Sequence, residues 1–145
     1  MTSARHVAVF AVASVVVLAG LATGDVVVAQ DFPFDQVLNL DVAPIKPSKR
    51  KPSLTVGANG IVTIDLWCNS IEGKADVAGD VITIALAELP DTPPAAVSYG
   101  QCTPDRMQAD QALREALSQV NSWRRQGSAV VLSGTTTMRF YPSTN

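Results

Sequence analysis

The sequence predicts an α+β domain: a curved antiparallel β-sheet, an open or cracked barrel of about eight short strands, wrapped against one amphipathic α-helix. Three observations carry that expectation. Short apolar runs alternate with a period of two and are separated by Gly, Asn, Asp and Pro turn signals. One stretch in residues 103–121 keeps a helical period behind a helix-start signal. Its single apolar stripe has to be buried, and the apolar face of the sheet is the available partner. The 145 residues suit one domain with a sizeable core.

The chain opens with Arg5 and His6, then an apolar run over residues 7–22, and small residues Val27 and Ala29 precede an expected cut. That order describes a secretory signal peptide over residues 1–29, leaving a domain over 30–145 with its core in 36–141. The alternative is an uncleaved anchor, but the apolar stretch is about 18 residues, the short edge of what spans a bilayer, and Asp25 ends it. No cysteine lies near the cut to take a lipid. The mature protein is expected to be periplasmic or secreted, without a stable membrane anchor, and monomeric.

Residues 36–42 alternate Leu38, Leu40 and Val42 with polar neighbours, the mark of a half-buried strand. Residues 44–52, rich in Pro and Lys, read as a solvated surface loop. A short strand over 53–56 leads to the Asn59-Gly60 turn, where positive φ is tolerated. Over residues 60–68 the alternation is clearest: Val62, Ile64, Leu66 and Cys68 share one face, with Ile61, Thr63, Asp65 and Trp67 on the other. Residues 69–73 read as a loop, 74–77 as the start of a strand, 78–80 as a turn and 81–86 as a returning strand. Pro90, Pro93 and Pro94 keep 89–96 out of any interior strand or helix. Thr103, Pro104 and Asp105 supply N-cap, first helical position and dipole complement. The helix buries Met107, Ala109, Leu113, Ala116, Leu117 and Val120, opposite Arg106, Asp110, Arg114 and Glu115. Strands are expected at 122–125 with Trp123 inward, at 129–132, and at 135–141 with Met138 and Phe140 in phase.

Chemistry is harder to find. Eleven Lys and Arg stand against thirteen Asp and Glu, net charge −2, so the surplus of cations that phosphate neutralisation requires is missing and no nucleic-acid partner is expected. The one histidine, His6, belongs to the segment expected to be removed. Without it there is no Ser-His-Asp or Cys-His unit and no imidazole metal site. No nucleophile elbow, P-loop or calcium loop is written in the chain. No catalytic residue, metal or cofactor is assigned, and the protein is read as non-enzymatic. Trp67 and Trp123 are read as packing residues. Cys68 and Cys102 are a candidate disulfide in an exported chain, with free thiols and redox chemistry as the alternatives.

The run Leu66-Trp67-Cys68-Asn69-Ser70-Ile71-Glu72-Gly73 resembles the Gly-Cys-Asn…Gly core of the META domain family, which includes HslJ-type heat-shock proteins. Cys102-Thr103-Pro104-Asp105-Arg106-Met107 resembles the family's lead into its helix, and Asp110 with Leu113 and Leu117 its acidic-then-leucine pattern. Val131-Leu132-Ser133-Gly134 and Met138-Arg139-Phe140 resemble its closing hairpin. Trp67 stands where the family usually has Gly, and the lipoprotein cysteine of many envelope members is missing. The resemblance implies a compact β-rich domain around one helix, a link to envelope function and stress response, and no transferable catalytic residue.

Three functions follow as expectations. The first is a non-enzymatic accessory domain of the bacterial envelope that binds another envelope protein. The second, drawn from fold analogy to pilotin chaperones, is a carrier of a small hydrophobic ligand or lipid held by Val62, Ile64, Leu66, Leu113, Leu117 and Val120. The third is a thiol–disulfide redox protein using Cys68 and Cys102.

Overall fold

Among the described residues, alternating side chains build eight strands whose order in space is their order in sequence, an up-and-down meander closed on itself. The structure is a computed structural model, and it describes residues 31–91 and 102–144. The strands are β1 (Leu38–Leu40), β2 (Ser53–Val56), β3 (Ile61–Asp65), β4 (Ser70–Ala78) and β5 (Val81–Leu86), then β6 (Ser122–Gln126), β7 (Ala129–Ser133) and β8 (Thr137–Pro142). Helix α1 (Pro104–Ser118) is inserted between β5 and β6. Every neighbouring pair is antiparallel, and β8 returns to β1 through Leu38↔Pro142, Asn39↔Tyr141 and Leu40↔Phe140. The expected signal peptide lies outside the described residues, as does most of the proline-rich stretch after Leu89.

The barrel is closed, which corrects the expected open or cracked sheet. Closure is uneven, however. β4 and β5 pair along six positions from Gly73↔Leu86 to Ala78↔Val81, whereas β5 and β6 share the single register pair Val81↔Ser122. Two further bonds finish that seam, Ile82 N–H to Asn121 O at 3.3 Å and Trp123 N–H to Asp80 O at 2.8 Å. Beyond them the strands part, and α1 packs on β5. The guanidinium of Arg114 fastens it there, donating to the Ala87 carbonyl (2.7 Å) and to Glu88 Oε1 (2.5 Å).

The interior follows the alternation. Leu38, Leu54, Val56, Val62, Ile64, Ile82, Leu132 and Phe140 are fully or almost fully buried and pack with Leu117 of the helix. Trp123 points inward as expected, meets Phe32 edge-on at 5.0 Å and donates its indole N–H to Gly79 O at 2.7 Å. The Asn59-Gly60 turn forms with Gly60 at φ 80°.

Several boundaries move. The strand expected over 60–68 stops at Asp65, and the expected loop over 69–73 is the start of β4, paired from Asp65↔Ser70 to Ile61↔Lys74. Ile71 is inward while Ser70, Glu72 and Lys74 face water, so a polar-looking run is a one-sided strand. The first strand shrinks to three residues, and the helix ends at Ser118 rather than near Asn121. Asp65, which had no evident partner, forms an ion pair with Arg50 at 3.3 Å, tying the basic loop to β3.

Candidate functional site

Between β3 and β4 the chain leaves the sheet for four residues, Leu66 to Asn69, closed by Leu66 N–H to Asn69 O at 2.7 Å. A turn buried this deeply must find partners for its amides. Asp110, on the first half of α1 and fully buried, supplies them. Its Oδ1 accepts Trp67 N–H (2.9 Å), and its Oδ2 accepts Cys68 N–H (3.1 Å), Asn69 N–H (3.0 Å) and the Asn69 side-chain amide (2.8 Å). One turn earlier on the same stripe, Arg106 is 1% exposed and donates Nη2–H to the Trp67 carbonyl at 2.7 Å. The disulfide Cys68–Cys102, with Cα atoms 5.5 Å apart, ties the same turn to the residue before the helix N-cap. Helix and turn are thus joined by a carboxylate, a guanidinium and a covalent bridge within one small volume.

Burial pushes the Asp110 carboxyl above its ordinary value of 3.8, while the hydrogen bonds from Asn69, Trp67 and Cys68 pull it back down. Charge-assisted bonds of this kind are about twice as strong as neutral ones, and they fix where the helix sits over the barrel end. All the acceptor capacity facing the turn is in use. The arrangement is a structural clamp and offers no substrate a free carboxylate.

The expectation that Arg106 and Asp110 face solvent is therefore overturned. They continue the buried stripe of Leu113 and Leu117, because positions four, seven and eleven residues on from Arg106 return to one side of a helix. Trp67, assigned to the outward face of a strand, is also buried, at 6% exposure. Thr103 occupies the N-cap position, yet its side chain makes no capping bond; its carbonyl accepts Arg106 N–H and Met107 N–H instead.

The six residues expected to hold a hydrophobic ligand all lie in the closed core: Val62, Leu66 and Leu117 are fully buried, with Ile64, Leu113 and Val120 nearly so. Of them Leu113 also lines a surface groove beside the helix. Among the described residues no group of three His, Cys, Asp or Glu is placed to hold a metal ion, and no helix is long and apolar enough to cross a membrane.

Comparison with solved structures finds two chains of similar fold. An NMR structure aligns at 17% identity with a TM-score of 0.53, covering 73% of this chain and 87% of that one, which is a likeness of fold alone. A crystal structure of a domain-of-unknown-function family protein from Bacteroides vulgatus aligns at 20% identity, TM-score 0.46, over 62% of this chain, which spans 57% of that protein's length. No curated protein matches the chain by sequence. The META domain profile matches residues 30–145, the whole barrel with its helix, turn and clamp, and the chain belongs to the META domain family.

Proposed function

We propose that this META domain is a non-enzymatic, exported accessory module of the bacterial cell envelope, linked to stress tolerance, that acts by binding another envelope protein. The observation that carries the reading is the clamp. The buried Asp110 and Asn69 are engaged with one another and with the main chain, and the disulfide covers the same turn. Buried polar groups held this way rigidify a scaffold and leave the outer surface for recognition. A bridge at its centre suits an oxidising compartment. Ile61 (49% exposed) and Val81 (50%) offer apolar contacts on that surface.

The test places a photo-crosslinking amino acid at Ile61 or Val81 in the native host. A reproducible adduct with one envelope protein, on material recovered outside the cytoplasm, is the expected result. Retention of the chain in the cytoplasm, or adducts that vary between preparations, overturns the proposal.

A further inference from the structure

Residues 44–52 lie in the loop from β1 to β2, and that loop is pinned to the barrel. Ile45 packs half-buried against the core, and Pro52 is buried, its carbonyl accepting Leu40 N–H at 2.9 Å. Arg50 N–H donates to Ser48 Oγ at 3.0 Å, and the Arg50 guanidinium pairs with Asp65 at 3.3 Å. Prolines 44, 47 and 52 fix three φ angles and leave the loop few shapes to adopt.

What the pinned loop presents is charge of one sign. Lys46, Lys49 and Lys51 are exposed, and among the described residues none of them forms an ion pair. The sequence holds no Asp or Glu between Asp41 and Asp65, and the Asp65 carboxylate is taken by Arg50. The chain's other lysine, Lys74, is placed differently: it stands on β4 between Glu72 and Asp76, which share its outward face. Like charges gathered on one loop repel one another until something anionic neutralises them. An acidic protein and an anionic bilayer both supply such charge, and composition decides between them. Protein interfaces are enriched in aromatic residues, Met and Arg and depleted in Lys. This loop has three lysines, no aromatic residue and no Met. A lysine ammonium is a compact point charge that needs no fixed partner geometry, which suits the diffuse field of lipid headgroups.

We propose that the loop over residues 44–52 is a peripheral contact for an anionic lipid surface, with Lys46, Lys49 and Lys51 meeting the headgroup phosphates. Arg50 is held back by Asp65 and adds less. Three free charges make an attraction that salt reverses, and they do not make an anchor. Ile61 opens β3 at the end away from Asp65, the residue that ties the loop down. The lipid contact therefore stands apart from the protein-binding surface proposed above and does not depend on it.

Vesicle co-sedimentation of the chain purified from its host provides the test. The readout is the ratio of two affinities, for vesicles of equal parts phosphatidylglycerol and phosphatidylcholine and for phosphatidylcholine alone. Any apolar segment contributes to both and cancels. At low salt the ratio is expected to be about a hundred, from three lysines at about fivefold each, and to collapse as sodium chloride is raised. Lys46→Gln/Lys49→Gln/Lys51→Gln leaves Ile45, Pro52 and every strand untouched, and should make the two affinities equal with circular dichroism unchanged. Each single substitution is expected to lower the ratio about fivefold, which gives the same reading without the triple change. Lys74→Gln is expected to leave it unaltered, since that charge lies off the loop among acids. Asp65→Asn frees Arg50 and should raise it about fivefold. Equal affinities for the wild type overturn the proposal, as does a ratio that survives loss of the three lysines. A fall with Lys74→Gln as large as with a loop substitution also overturns it, because net charge alone would then be at work.

Discussion

Asp110 shows how one side chain can decide the placement of an element. Its carboxylate receives three consecutive amides, a geometry in which neither an apolar residue nor a neutral amide can replace it. Asp110→Asn keeps the shape but turns one acceptor atom into a donor facing N–H groups. We expect a loss of about 3 kcal/mol, the scale for hydrogen bonds to a buried charge, read by urea denaturation. The pH dependence has a definite sign. Since burial raises the folded carboxyl above 3.8, the folded state holds its proton more tightly than the unfolded chain. The associated stability is present at low pH and is lost as pH rises from 3.8 through the raised folded value. The gap between wild type and Asp110→Asn should therefore narrow as pH rises across that window. A gap that widens contradicts it. Gly73 makes a second single-residue case: a Cβ there would collide with the Ala85 carbonyl across the β4–β5 ladder. Gly73→Ala is expected to cost about 2 kcal/mol, whereas Lys74→Ala, an outward neighbour, should be close to neutral.

At the scale of elements, the helix is held by interactions of different kinds. The Cys68–Cys102 bridge spans 34 residues, and removing it is expected to cost about 3–4 kcal/mol in the chain-entropy account. In Cys68→Ala/Cys102→Ala the Asp110 bonds persist, so the variant should stay folded with unchanged far-ultraviolet circular dichroism and a lower denaturation midpoint. Loss of helical signal instead would show that the clamp cannot position α1 alone. The strands and the helix differ in how plainly the sequence announced them. β2 and β5 were legible to the residue, since alternation and turn signals bound both. β4 was missed at its start because an outward face of Ser70, Glu72 and Lys74 dilutes the apolar signal to Ile71 alone. The clamp was half visible: the helical period places Arg106 and Asp110 on the buried stripe, but their charge argued for solvent. That argument fails only because the turn at 66–69 supplies partners, and a turn's unpaired amides leave no mark in a list of side chains. Asp110 was singled out by the family resemblance, with its role unstated.

For the molecule as a whole, closure through one thin seam is the property with most consequence. Seven of the eight strand junctions carry two or more register pairs, and the β5–β6 junction carries one. Ladder hydrogen bonds there are replaced by helix packing and by the Arg114 fastening to Ala87 and Glu88. Local opening follows the region with fewest such bonds, so the seam is where the barrel should breathe first. Hydrogen exchange measured by NMR is expected to show fast amides at Ile84 and Leu86, where β5 has drawn away from β6, and slow ones in β3 at Val62 and Ile64. Arg114→Ala removes the fastening without touching the core, since this side chain lies at the helix margin. It should speed exchange along β5 severalfold and leave β3 unchanged. Uniform acceleration across all strands would mean that opening is global, and that the helix stabilises the entire barrel rather than guarding its seam.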